Sequence, residues 1–291
     1  MKLRGSLSTL LILVSILLMG QSGEKEGRAY RLTNEKGKTI GYKGLVERAS
    51  EADIVFFGEL HDDPIGHWLQ LRLTRSLYEE AGDSLELGAE MFEAPDQLIL
   101  DEYLEGTARM KDLKRTAKLW DNFDTDYKPL LIYARKKGIP FLASNVPRRY
   151  AALVHRKGLS ALDSLSEEAC SYMAEDFELD TGLASYQRIM KMGHGSNGKR
   201  IAQAQALKDA TMAERIRKRY DEGETFLHFN GSFHSDAHEG IVHYLEKELS
   251  KTDVLVISSL KVADLQDPKG VKWERKGDVN LLVPEDMTST H

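Results

Sequence analysis

The sequence holds a single cysteine, Cys170, so no disulfide can form within the chain and stability must come from an apolar core. The simplest role for such a residue is a small buried apolar side chain. Compact metal motifs are missing too: there is no His-Glu-x-x-His and no cysteine cluster. Nothing resembles a basic stripe with interleaved aromatics, and the formal net charge is −6, which argues against nucleic acid as a partner. What remains fits a soluble globular protein. At 291 residues, 41% hydrophobic and 30% charged, the chain can bury a substantial core in one large domain or two small ones.

The N-terminus has its own signature. Lys2 and Arg4 precede an uncharged run from Leu7 to Met19, and Gly20 to Gly23 follow before the first acid, Glu24. A basic start, a short apolar stretch and small residues make a secretory signal, expected over residues 1–22. The run falls short of the roughly 20 residues that span a bilayer. Removing it takes the charge from −6 to −8, since Lys2 and Arg4 leave and no acid does. A periplasmic or secreted protein is the expectation. No cysteine stands near the cleavage region to carry a lipid.

Residues 23–291 read as one α/β domain, with a mostly parallel central sheet flanked by helices and a helical insertion over about 150–220. Asn34-Glu35-Lys36-Gly37 suits the turn of a short hairpin, and 43–50 a short helix. Ile54 to Phe57 is an apolar run fit for a parallel strand covered on both faces. Asp63 and Pro64 then suit the cap and first position of a helix with Ile65, Leu69, Leu73 and Leu77 on one face, stopped at Gly82. Further strands are expected at 85–91, 139–144, 225–230, 254–259 and 279–283, and helices at 95–103, 107–137, from Ile201 to Tyr220, and from a cap at Asp236 to Leu249.

Two of these strands end alike. One runs into Gly58-Glu59-Leu60-His61, the other into Gly231-Ser232-Phe233-His234, and each is expected to lead into a helix. Ligands of open α/β sheets bind beyond the carboxyl ends of strands, so one crevice could collect Glu59, His61, Glu90 and His234, with Asn145 and Asn230 beside them. These four are the candidate catalytic residues. His61 just precedes a helix N-terminus, which disfavours a charged imidazole and so favours the neutral, metal-binding or basic form. His61, Glu90 and His234 could hold zinc, manganese or iron with positions open for water, and a metal-bound water can attack a carbonyl. Without metal, the same groups form a His base oriented by Glu. Strand-end His and Glu also cap helices and bridge loops, but two matched turns and two glutamates favour a site. His67 could look back into the crevice, whereas His243 suits packing or the surface.

Gly58-Glu59-Leu60-His61-Asp62 with His67 and Gln70 resembles the opening motif of the ChaN-like haem-binding family of bacterial iron-regulated lipoproteins, within the Tiki/TraB/erythromycin-esterase superfamily. The likeness continues in order through Glu90-Met91-Phe92, Trp120, Tyr127 to Leu130, Ala143 to Arg148, Gln205, Asp209 to Ala213, and Gly231 to His234. It implies a parallel sheet with a helical subdomain, and haem binding linked to iron acquisition, with a homodimer that sandwiches haem as one arrangement. It implies a tyrosine on the iron. Tyr172 and Tyr186 in the insertion are the candidates, with Arg188, Met190 and His194 completing the cofactor-binding set and Arg188 and Lys191 able to meet propionates. The family often carries a lipobox cysteine and this chain has none, which leaves membrane association open. The wider superfamily implies the other reading, a metal-dependent hydrolase centred on His61, Glu90 and His234.

Overall fold

The computed structural model describes residues 28–290 except 176, 194, 248 and 250. The expected signal at 1–22 therefore lies outside the described residues. Among those described, no helix is long and apolar enough to cross a membrane.

An eight-stranded sheet runs in the order β2-β1-β8-β7-β3-β6-β4-β5. Its strands are β1 (Arg31–Asn34), β2 (Thr39–Ile40), β3 (Ile54–Glu59), β4 (Leu85–Glu93), β5 (Phe141–Asn145), β6 (Thr225–Gly231), β7 (Val254–Val262) and β8 (Val279–Pro284). β3 to β8 pair in parallel, and the β1–β2 hairpin adds antiparallel on the β8 edge. The hairpin turn is held by Asn34, whose side chain accepts from the Lys36 and Lys38 amides.

Both faces of the sheet are covered, which is why its strands read as continuous apolar runs. Along β3, Val55 and Phe57 join one core, with Leu69, Leu73 and Leu77 of α2 (Pro64–Ala81). Ile54 and Phe56 join the other, with Met212 and Ile216 of the long helix Gly195–Arg219. Each fully buried side chain of this size contributes roughly 1.5–3 kcal/mol against the chain entropy it opposes. α1 (Tyr42–Glu51) precedes β3, and α3 (Gln97–Glu105), α4 (Met110–Thr116) and α5 (Lys128–Lys137) lie between β4 and β5. Asp63 caps α2 as expected, accepting from the Ile65 and Gly66 amides.

The insertion contains α6 (Arg148–Lys157), α7 (Glu167–Cys170), α8 (Ala184–Met192) and α9 (Gly195–Arg219). It has small cores of its own, one around Val154, Met173 and Leu207, the other around Tyr186, Ala202 and Ala206. α9 ties it to the sheet, because its later turns supply Met212 and Ile216 to the sheet core.

Three expectations change. The helix expected over 107–137 is broken: a wide turn at Phe123–Tyr127 separates α4 from α5. The helix expected from Asp236 to Leu249 shrinks to α10 (Ile241–Glu246). Asp236 does not cap it. Its buried carboxylate accepts instead from Ser258 Oγ and Lys276 Nζ, each at 2.5 Å, while Ala237 and His238 turn the chain at positive φ. Cys170 is exposed rather than buried, since its neighbour Ala169 takes the inward position of the short α7.

Candidate functional site

β3 and β6 are direct neighbours, with Gly58 level with Asn230 and Glu59 level with Gly231. The two Gly-x-x-His turns thus leave the sheet side by side. Each glycine makes room for the other turn. A Cβ on Gly58 would stand 2.9 Å from Ser232 Cα and 2.9 Å from the Ile257 carbonyl. A Cβ on Gly231 would stand 2.7 Å from the His61 ring. β4, on the far side of β6, brings Glu90, whose Oε2 accepts from the Gly231 amide at 2.8 Å.

The first turn builds a braced carboxylate. Glu59 is buried, and Oε1 accepts from His61 Nδ1 at 2.9 Å and from the Tyr127 hydroxyl at 2.6 Å. Its Oε2 accepts from Gln70 Nε2 at 2.5 Å. His67 is buried beneath, bridging Gln70 Oε1 and the His61 carbonyl. Asn122 Nδ2 donates to that same carbonyl at 2.7 Å, and Trp120 meets the His61 ring edge-on at 4.8 Å. Burial opposes charge on His61. The Glu59 hydrogen bond and the Glu90 and Glu59 charges outweigh it, so the pKa is raised. The Glu59 and Glu90 carboxylates thus act on His61 in the opposite sense to the helix terminus beside it.

The second turn builds a closed charge network. His234 is buried, with Nδ1 on Asp209 Oδ1 and Nε2 on Glu90 Oε1 at 3.1 Å. Tyr186 donates to the other Asp209 oxygen at 2.8 Å, and Lys208 Nζ lies 3.8 Å from Glu90. Burial disfavours a charged His234, but Glu90 and Asp209 push its pKa up to about 9. Burial likewise opposes charge on Glu90, yet His234, Lys208 and His61 hold it well below the ordinary carboxylate range. Of the strand-end asparagines, Asn145 donates to the Glu90 carbonyl and Asn230 fixes Ser235 and the Gly231 carbonyl.

Above both turns lies a cavity of about 740 Å³. Glu59, His61, Glu90 and His234 all line it, so the structure gathers the four candidate catalytic residues. Its walls are apolar: Leu60, Trp120, Ile189, Met192, Ile201 and Phe233. Met192 and Phe233 are largely exposed. Lys208 and Gln205 come from α9, one and two turns from its sheet-packed end. The proposed metal trio is not arranged around one point. His234 is bonded at both ring nitrogens and Glu90 is tied to Gly231. Among the described residues, no group of three His, Cys, Asp or Glu could hold a metal ion.

The cofactor-binding candidates scatter. Tyr186 is buried with its hydroxyl on Asp209, and burial and that carboxylate push its pKa far above the usual phenol range. Neither Tyr172 nor Tyr186 lines the cavity. Arg188 and Met190 flank the wall residue Ile189 on α8, and Met190 packs against the Tyr186 core. His194 lies outside the described residues. His155, His238 and His243 sit away from the cavity, beside Asn197, Asp278 and Asp180 respectively.

The site residues least visible as chemistry are Lys208, Asp209, Gln70 and Tyr127. Their signal was spacing: Gln205, Lys208 and Asp209 recur at i, i+3 and i+4 on a helix, and Gln70 follows His67 by three. The apolar wall residues Ile189, Ile201 and Phe233 carry no such signal.

A strand-end His and carboxylate cluster under an apolar cavity, on a parallel sheet with a helical insertion, defines a ligand-binding α/β protein. The chain belongs to the family described as haem-binding uptake, Tiki superfamily, ChaN, whose model matches residues 45–245. It is also similar to the solved structure of ChaN of Campylobacter jejuni with cofacial haem, at TM-score 0.67 and 14% identity over 88% of this chain and 98% of that one. That likeness shows the fold. A curated relative, the chloroplastic protein RETICULATA-RELATED 5 of Arabidopsis thaliana, is 26% identical over 189 residues, 60% of this chain. The match spans about a quarter of that relative's length.

Proposed function

We propose that this is an exported haem-binding protein that serves haem or iron acquisition. One observation carries the reading: a chain of the haem-binding uptake family has a cavity of about 740 Å³ with apolar walls and a polar floor. That size suits a cofactor, since such sites run to about 300–1,000 Å³ and are mostly apolar with a few placed polar groups. The residues present fit haem. Trp120, Ile189, Met192 and Phe233 would cover a flat apolar ring, and Lys208 would meet a carboxylate. Haem supplies a redox-active iron that the protein's ligands tune. Export rests on the 1–22 segment, and a haem-sandwiching homodimer would cover the exposed Met192 and Phe233. The hydrolase alternative is not favoured by the family.

The test is hemin titration of the mature protein, with a saturable shift of the Soret band expected. Phe233→Asp and Met192→Asp, which place charge on the apolar wall, weaken that shift. No saturable shift in the parent protein would refute the reading. Recovery of a chain starting near residue 23 from the periplasmic fraction checks export.

A further inference from the structure

The helices on the two sides of the sheet carry different surfaces. α1, α2, α3 and α5 pack on the face bearing Val55 and Phe57, opposite the face that α9 covers. Their outer side joins aromatic rings to cations. Arg72 lies over Trp68 and Tyr42, at 5.4 Å and 5.3 Å from the ring centroids, and Tyr30 packs on Trp68 at 6.0 Å. Further along α2, Arg75 lies over Tyr133 of α5 at 5.5 Å. The Tyr133 ring stands 6.2 Å from that of Tyr78, and Lys137 Nζ lies over Tyr78 at 4.7 Å. Arg135 lies over Tyr103 of α3 at 4.9 Å. Trp68 is 47% exposed, and Ile132 of α5 is 49% exposed. No single stretch of sequence shows this pattern, because four helices assemble it.

The charge on this face is unbalanced. Among the described residues, Arg72, Arg75, Arg135 and Lys137 form no ion pair, in a chain whose net charge is −6. The cations of the nearby α4 region differ: Arg109 and Arg115 pair with Asp112, and Lys114 with Asp124. Glu79 brings one carboxylate near Tyr133, against the four cations.

We propose that this face docks on an anionic phospholipid bilayer. Tryptophan and tyrosine settle at the headgroup level of a membrane, and basic side chains beside them are drawn to an anionic surface. Here each of the four cations is held against a ring, so both kinds of group are presented together. The path of the chain agrees. The segment ahead of residue 28, which carries the apolar run from Leu7 to Met19, joins the fold two residues before Tyr30 and so beside Trp68. Exposed Ile132 favours lipid over nucleic acid, because a phosphate backbone gains nothing from an aliphatic side chain. The assignment is independent of what fills the cavity.

The test is co-sedimentation of the mature protein with vesicles of phosphatidylcholine, with and without phosphatidylglycerol. Binding is expected only where phosphatidylglycerol is present, and it weakens as salt is added. Arg72→Gln, Arg75→Gln and Arg135→Gln together lower it by about a hundredfold, since each basic residue near such a surface is worth about fivefold. Trp68→Ser weakens binding and leaves its salt dependence unchanged. Arg156→Gln, Lys157→Gln and Lys199→Gln together make the same charge change on exposed residues of the insertion, and leave binding within about twofold, beyond the reach of the surface charge. Far-UV circular dichroism of both triple variants matches the parent, because all six side chains are exposed. Equal binding to both kinds of vesicle overturns the proposal, as does an equal loss in the two triple variants. Retention of a DNA duplex without vesicle binding overturns it too, and makes the face a nucleic-acid surface.

Discussion

The two Gly-x-x-His turns share a pattern, Gly58-Glu59-Leu60-His61 and Gly231-Ser232-Phe233-His234, and are opposite in construction. The turn after β3 holds its histidine by one nitrogen at the edge of the cavity, against a carboxylate with two other donors. The turn after β6 buries its histidine between two carboxylates, one of which also receives a phenol. The difference follows from neighbours rather than motif. β3 feeds α2 directly, and its histidine faces Trp120 and the cavity. β6 feeds two tight turns that fold back under α9, where Asp209 waits. One turn is free to take a ligand. The other is a structural charge network with one face on the site.

That contrast predicts a gap in stability. Asp209→Ala strips the buried His234 of one partner and removes the carboxylate to which the Tyr186 hydroxyl donates. Breaking a buried charge pair on one side costs about 3–5 kcal/mol. Urea melts should show the loss, larger than that of any single change in the first turn's side chains. A cost below about 1 kcal/mol would mean the second turn is not held by this network.

A second break probes the interlock of the turns. The Cβ of Gly58→Ala would meet Ser232 Cα and the Ile257 carbonyl, both main chain, each at 2.9 Å. Neither can move without distorting β7 or the second turn, so a cost of about 1–3 kcal/mol is expected. Gly231→Ala meets instead the His61 ring, whose half-exposed side chain can rotate away. It should cost less stability and show its effect on hemin binding.

The sheet and its connections were legible from composition and period. β3, β4 and the α2 cap follow from apolar runs and the Asp63-Pro64 pair, because local sequence there agrees with the tertiary environment. The Glu59, His61, Glu90 and His234 set was legible for one reason: strand ends in a parallel sheet converge. What failed depended on distant partners. Asp236 looks like a cap until Ser258 and Lys276 claim its carboxylate. The helix N-terminus beside His61 disfavours charge on the ring, whereas Glu59 and, from another strand, Glu90 raise its pKa. Tyr186 looks available to iron until Asp209 takes its hydroxyl. The break in 107–137 that delivers Trp120, Asn122 and Tyr127 does have a local marker, Pro129 in the first turn of α5, which starts a helix and disfavours one running through the residues before it.

β6 sharpens the contrast through pH. His228, on the same strand as the second turn, is fully buried between Ser144 Oγ and Asn230 Oδ1. Burial lowers its pKa to about 4, and the Asn230 hydrogen bond only partly opposes this. A folded-state pKa below the unfolded value of about 6.5 means the unfolded chain binds more protons as pH falls. The stability is present above about pH 6.5 and is lost on descent towards pH 4, about 2 kcal/mol of it by pH 5. Urea melts at pH 7 and pH 5 should differ by that component, and the difference should shrink in His228→Gln. An unchanged pH dependence in that variant would place the titration elsewhere.

The smallest effect is expected at the half-exposed histidine of the first turn. His61→Ala removes one of three donors to Glu59, but Tyr127 and Gln70 remain at 2.6 Å and 2.5 Å, so no buried carboxylate is orphaned. The lost pair is half exposed on the histidine side, where such contacts are worth about 1 kcal/mol or less. Thermal melts without hemin should therefore show a shift of only a few degrees, as about 1 kcal/mol implies for a domain of this size. The same melts with hemin should separate the proteins further, because a ligand that binds the folded state raises its stability with the logarithm of its concentration relative to Kd. A large loss without hemin would show that the first turn, like the second, is a structural network, and the contrast between the two would disappear.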